Sequence, residues 1–453
     1  MFAALSAVLS AAPPMPGQNV PGNEEPVRTT VSAPEAARVK DSLALKLEDV
    51  FGMMESGNST LKMLRTATQA AEEGVRTARN AMLPDLDASV SVSYNGDAFL
   101  SDRDFSNITR AETPHFGNGF TVDATQVIYA GGVLKAGVEM ADLNLKRSNV
   151  QLDQTRQSLR LVAAGQYLDL YRIGNSIKVY EQNISLTEKL ISDIEARRQQ
   201  GLALADDVTR YELQLQTLNL ELDLLRSKAD VMNYRLCESL GLPDGTVVTP
   251  SLPDAAEYEY SGMADWQEAA YRSAPSSVLA QVASDEAQTR RTIVKGEMLP
   301  SVAVVAHDNL NGPITFEIPP INKNINIWYV GLGINYSFGS LYKSRSKVRQ
   351  ANLAARQARE TVEVARQNVR EEVKQAYSDW QLAFTELQTR RKSLQLATEN
   401  YDRVYFRYME QLALVTDMLD AFNMKLSAEI GVSDAEAEIR YRQCRLAYAA
   451  GIL

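Results

Sequence analysis

Few residues in this sequence could do covalent chemistry at neutral pH. Histidine occurs twice, as His115 and His307, both in polar segments that read as loops. That removes most metal ligation and most acid–base catalysis, for which imidazole is the usual side chain. Cys237 and Cys444 make neither a metal motif nor a disulfide framework. They read as two buried free thiols, with a single bridge between them as the alternative. The remaining candidates are carboxylates. Asp206 and Asp207 are adjacent, and a glycosidase-type acid pair could be drawn from them, but adjacent acids just after a turn usually cap a helix. Asp417 reads as a helix N-cap, and Asp420, three residues on, suits the positive end of the same helix. No nucleophile–base pair, phosphate loop or metal cluster stands out, so neither an enzyme activity nor a cofactor is expected.

The elements that must position these acids are written twice. Asp207 sits in GLALADDV (Gly201 to Val208) and Asp417 in QLALVTDMLDA (Gln411 to Ala421). Adding 210 to a number in the first stretch gives its partner in the second: Leu202, Ala203 and Leu204 fall on Leu412, Ala413 and Leu414. Tyr167 and Asp169 fall on Tyr377 and Asp379, and Arg235, Leu236 and Gly241 on Arg445, Leu446 and Gly451. An internal repeat of this length governs the whole fold. It divides the chain into a signal-like start and flexible leader (1–41), a first repeat (42–241), a linker (242–262) and a second repeat (263–453).

Each repeat is expected to run helix, strand, loop, strand, long helical hairpin. Ser42 onward reads as helical up to the proline of AMLP (Ala81 to Pro84), which ends a helix by fixing φ and removing a donor. Asp87–Asp97 and Phe120–Tyr129 alternate with the period of a strand, separated by a polar loop of roughly 20 residues. From Val133 to Gln200 there is no proline, which reads as roughly 100 Å of helix at 1.5 Å per residue. A turn at Gly201–Asp206 reverses the chain into a helix from Asp207 to about Leu240. Its run LQLQTLNLELDLL alternates like a strand but is too long for one, so a helix buried on two flanks is expected. EMLP (Glu297 to Pro300) restarts the plan, followed by strands Ser301–His307 and Trp328–Phe338 and a hairpin from Leu341 to Gly451. In the last strand Trp328, Val330, Leu332, Ile334, Tyr336 and Phe338 share one face. Tyr329, Gly331, Gly333, Asn335 and Ser337 share the other.

A formal net charge of −10 and a pI near 5.1 disfavour nucleic acid as a partner. The start MFAALSAVLSAAPPMPGQ has a short apolar core but no basic residues before it, like a secretory signal whose beginning is missing or atypical. No run of about 18 apolar residues occurs, so no transmembrane helix is expected. Four strands cannot close a membrane barrel, which needs about eight. Left open in lipid, they would leave backbone groups unpaired. Sharing the barrel between chains solves this, with aromatic residues at strand ends (Tyr94, Phe120, Tyr129, Trp328, Phe338) at the membrane interfaces. The alternative is a small soluble sheet capping a coiled coil.

The paired MLP joints, the opening LALKLEDV, the VIYAGG strand end (Val127 to Gly132) and the two joints at Asp207 and Asp417 carry a family resemblance. In this order the chain resembles the TolC-like outer-membrane efflux proteins from Ser42 to Gly451. The resemblance implies an α+β membrane protein built as a homotrimer. Each subunit would give four strands to a 12-stranded β-barrel in the outer membrane of a Gram-negative bacterium, and two hairpins to a periplasmic α-helical tunnel. It implies a passive exit duct for efflux or type I secretion whose partners are a periplasmic adaptor, an inner-membrane pump and outer-membrane lipid. At the tip it implies acidic rings from Asp417 and Asp420, and a latch to which Tyr408 and Asp207 belong. The latch arginine is replaced here by Ala413, with Arg403 and Arg407 nearby in sequence. The adaptor would meet the joints Gly201, Leu202, Ala203, Leu204, Gln411, Leu412, Ala413 and Leu414. The competing reading is a soluble periplasmic coiled-coil adaptor or scaffold.

Overall fold

The computed structural model describes residues 42–251, 262–317 and 320–453. The expected signal and leader, most of the linker, and Pro319 of the loop between the last two strands lie outside the described residues. The first half runs β1 (Ser42–Leu45), α1 (Leu47–Gly57), α2 (Ser59–Asn80), β2 (Asp85–Tyr94), β3 (Ala98–Leu100), β4 (Thr109–Ala111), β5 (Phe116–Ala130), α3 (Val133–Gln199) and α4 (Ala205–Leu240). The second runs β6 (Val247–Pro250), α5 (Met263–Ser273), α6 (Pro275–Gly296), β7 (Ser301–Gly312), β8 (Ile325–Asn335), α7 (Ser340–Lys343), α8 (Arg345–Met409) and α9 (Val415–Ala449). The repeat offset holds at the joints: α3 ends at Gln199 and α8 at Met409, while α4 starts at Ala205 and α9 at Val415.

Two expectations are corrected near the start of each half. Ser42–Leu45 is a strand rather than helix, and the linker holds its partner: β1 pairs in parallel with β6. The fully buried Tyr167 fixes this pair. Its hydroxyl lies 2.8 Å from the carbonyls of both Leu45 and Ser251 and accepts the Ser251 N–H at 3.1 Å. Helical propensity over so short a stretch is too weak to oppose such tertiary pairing. Asn58 then separates α1 from α2, its side chain accepting the Thr60 and Leu61 N–H groups at 2.9 and 3.3 Å.

The larger sheet has the order β2–β5–β7–β8, antiparallel throughout. Its strands outrun the expected ones at the loop ends, and the expected polar loop contains the β3–β4 hairpin. His307 consequently lies inside β7 and not in a loop. Register sorts the sheet into two faces, because residues directly opposed across strands share a side. Val92, Val90 and Ala88 oppose Asn118, Phe120 and Val122. On the same face Val302, Val304 and Ala306 oppose Ile334, Leu332 and Val330. The other face carries Ser89, Ser91, Ser93, Thr121, Asn309, Gly331 and Gly333. A bulge between Val127 and Tyr129 rotates Tyr129 onto the apolar face, opposite Val302. β8 ends at Asn335, so Tyr336 and Phe338 lie just beyond it, their rings edge-on at 4.9 Å. The apolar face is uncovered: Trp328, Val330, Leu332 and Ile334 are exposed.

The long helices pack in the order α4–α3–α9–α8, with α2 against α3 and α6 against both α3 and α8. The core is thickest where α1 and α5 meet them, around Tyr167, Leu168 and Leu236 in the first half and Trp266, Val373 and Leu446 in the second. α4 is buried on one flank only, through Leu218 and Leu222; Leu213, Leu220, Leu224 and Val231 are exposed, contrary to the expected two buried flanks. Both cysteines are free and buried. At the base of the first half, the α4 C-terminus rests on the end of α1 so closely that a Cβ at Gly57 would overlap the Leu240 carbonyl. Gly57→Ala is expected to destabilise by about 1–3 kcal/mol, the usual scale of overpacking. Gly52→Ala, mid-helix with open space around it, should raise stability by roughly 0.5–1 kcal/mol. Thermal denaturation of the two purified variants checks this, and equal melting temperatures would contradict it.

Candidate functional site

The two hairpin joints end and restart their helices with the same backbone device. At the end of α3, the Gly201 N–H bonds the Arg198 carbonyl at 2.9 Å and the Leu202 N–H bonds the Arg197 carbonyl at 2.9 Å. At the end of α8, Gln411 bonds the Tyr408 carbonyl at 3.0 Å and Leu412 the Arg407 carbonyl at 2.7 Å. This is the Schellman pattern, which needs a left-handed residue after the helix. Gly201 supplies it with φ of 75° and no steric cost; Gln411 supplies it with φ of 61° against the preference of a side-chain-bearing residue. Each following helix begins on a leucine, Leu204 or Leu414, in extended conformation. The carboxylate three residues on closes it: Asp207 accepts the Leu204 N–H at 3.3 Å and Asp417 the Leu414 N–H at 3.1 Å. Asp417 is therefore not the N-cap itself. It sits one turn inside, where a carboxylate reaches back to an otherwise unpaired donor. Asp49 and Asp265 do the same for α1 and α5, at 3.0 and 3.1 Å.

The joints are tied to each other. Gln411 Nε2 donates to the Leu202 carbonyl at 3.3 Å, and Arg197 Nη1 donates to the Met409 carbonyl at 2.9 Å. Behind them lies an apolar plug of Leu190, Ile194, Tyr211, Tyr408, Val415 and Met418, against which Ala203 and Ala413 pack. A cleft of ≈ 520 Å³ opens between the joints, lined by Arg197, Asp206, Asp207, Arg210 and Tyr408 among others. The structure thus brings Asp207 and Tyr408 to one place. It does not bring Arg403 or Arg407 there: Arg403 bonds Glu399, and Arg407 reaches the Leu412 carbonyl at 3.4 Å. The arginine beside Tyr408 is Arg197, the first-repeat counterpart of Arg407, which sequence reasoning missed. Its position in the last turn of α3 was the available signal. Asp417 and Asp420 are exposed, as are Leu202, Leu204, Leu412 and Leu414.

Burial and the nearby Asp207 carboxylate push the Tyr408 phenol up to about 12, partly offset by Arg197. Tyr211 is raised further, chiefly by burial, and its hydroxyl has no hydrogen-bond partner. A model for the family described as "Outer membrane efflux protein" matches residues 52–242. The outer membrane efflux protein BepC of Brucella suis is 22% identical over 406 residues, covering 87% of this chain and 82% of that one. Among solved structures, the outer-membrane channel OprN matches with a TM-score of 0.76 at 19% identity, covering 89% of each chain. The outer membrane protein VceC of Vibrio cholerae matches with a TM-score of 0.74 at 15% identity, over 89% of this chain and 96% of that one.

Over residues 52–242 the chain is similar to the outer membrane efflux proteins. The likeness to the solved channels is one of fold, and the family model ties the first repeat to efflux. No described helix is long and apolar enough to cross a membrane; the sheet carries an exposed apolar face. The joints, at the far end of the hairpins from the sheet, form the tip of the helical body.

The raised Tyr408 sets a pH dependence at that tip. A phenol whose folded pKa exceeds its unfolded one favours the folded state fully below pH 10, and that contribution is lost as pH rises toward 12. Tyr408→Phe should delete one late-titrating phenol from the phenolate absorbance curve and reduce the loss of stability over that interval. An unchanged curve would place Tyr408 in water.

Proposed function

We propose that this chain is an outer-membrane efflux protein, an exit duct extending into the periplasm, and that three copies of it close a 12-stranded barrel and a helical tunnel. Substrates would pass through it from a periplasmic adaptor and inner-membrane pump in efflux or type I secretion. The observation that carries this is a four-stranded sheet with an uncovered apolar face and two open edges, β2 and β8. Hydrocarbon offers an edge amide no partner, so the edges must pair with other chains. Cyclic association does this without leaving a new edge. Two copies would give eight strands, whose interior is just filled by side chains; three copies are the fewest that leave a conduit. The exposed Leu213, Leu220, Leu224 and Val231 of α4, spaced by seven, four and seven, form a second apolar seam for a neighbouring subunit. A soluble coiled-coil scaffold has no use for the sheet's apolar face.

At the tip, Asp417 and Asp420 line the entrance and favour cations, a role compatible with Asp417 capping α9. The plug around Tyr408, with the Arg197 and Gln411 bonds between the joints, holds the entrance in its resting form in place of the arginine absent at Ala413. The exposed leucines at 202, 204, 412 and 414 receive the apolar tips of the adaptor. The duct performs no catalytic step.

Detergent-extracted protein from separated membranes should run as a trimer in the outer-membrane fraction. Leu332→Arg should destabilise it by about 2–4 kcal/mol, the cost of a cation on the lipid face near the midplane. A soluble monomer, or an unaffected variant, would remove the barrel. In planar bilayers, Asp417→Asn with Asp420→Asn should lower cation selectivity; unchanged selectivity would take both carboxylates out of the conduction path.

A further inference from the structure

The polar face of the sheet contains a charged row that the duct reading leaves unused. Register places Asp87 opposite Asp123, Asp123 opposite His307, and His307 opposite Tyr329, so one residue of each strand stands at a single level. His307 Nδ1 donates to Asp123 Oδ1 at 2.6 Å, and its ring lies 5.3 Å from that of Tyr329. Asp85 is two residues along β2 on the same face, while Asp308 belongs to the opposite face, between Val122 and Trp328. The four strands contain no lysine and no arginine. His307 is therefore the sole side chain of the sheet able to carry positive charge. Beside Tyr329, Gly331 leaves open space on this face.

We propose that Asp87, Asp123 and His307 form a proton-responsive charge filter in the barrel lumen, separate from the periplasmic tip. The proposal rests on the trimeric barrel, which turns the row into a ring. With a neutral imidazole each subunit presents two carboxylates at this level, Asp87 and Asp123; with an imidazolium one of the two is neutralised. Imidazole is the side-chain type that takes up a proton as pH falls from 8 to 5. The ring prefers cations most strongly with its imidazoles neutral, and less with imidazolium beside the carboxylates. In a lumen lined by one sign of charge such a change acts on every permeating ion.

The test is the reversal potential of the purified protein in planar bilayers under a potassium chloride gradient, at pH 8 and pH 5. The wild type should be more cation-selective at pH 8. Asp87→Asn with Asp123→Asn should move the pH 8 reversal potential toward zero, and His307→Gln should flatten the difference between the two pH values. Because Cys237 and Cys444 are buried, a thiol introduced as Asp87→Cys is the accessible one. A positively charged methanethiosulfonate should lower cation preference there, and a negatively charged one should restore it. A conducting channel whose selectivity ignores these variants, or a thiol that does not react, overturns the filter and leaves the duct intact. Absence of conductance from the wild type overturns the duct, and the filter with it.

Discussion

An amide at the edge of a sheet that meets hydrocarbon has no water to bond, and leaving it unpaired costs several kcal/mol. In the proposed barrel this chain has two such edges, on β2 and β8, flanking a face of Val, Leu, Ile, Phe and Trp. Much of the remaining architecture answers to that constraint. The sheet must be completed by other copies, which demands a repeated subunit contact along the whole body. In the proposed trimer the free flank of α4 is the apolar seam that meets a neighbour below the barrel. The long helices, arranged α4–α3–α9–α8, leave α4 and α8 as outer members, as the strand order leaves β2 and β8. Sheet and helical layer are thus open in the same sense.

The tip obeys a different rule. Two helices of 67 and 65 residues end there, and each end exposes carbonyls and each restart exposes amides. Schellman turns satisfy the first, and Asp207 and Asp417 the second. The same carboxylates give the tip its negative charge, so capping and electrostatics are served by one residue type. The cross-bonds from Arg197 and Gln411 are few and partly solvated, each worth on the order of 1 kcal/mol. That is an appropriate scale for the proposed closure, which must also open.

Much of this was legible in the sequence because it depends on periodicity. Absence of proline from Val133 to Gln200 marks a long helix, alternation marks the two faces of a strand, and the constant offset between the repeats pairs the joints. What failed was short or relational. Ser42–Leu45 read as helix because its partner strand, Val247–Pro250, lies in the other half of the chain. Tyr129 reached the apolar face through a bulge that alternation cannot announce. Asp417 read as a cap in the right place but at the wrong position, since the extended residue before the helix is a leucine with no polar signature.

The sequence by itself determined which residues of a strand share a face, where the long helices run, and where the chain turns, because each follows from local spacing. The tertiary structure alone decided which residues meet at one level. Face is set by a period of two within one strand, but level is set by register between strands from opposite halves of the chain. That register put Asp87, Asp123 and His307 in one row, and helix packing put Arg197 rather than Arg403 or Arg407 beside Tyr408.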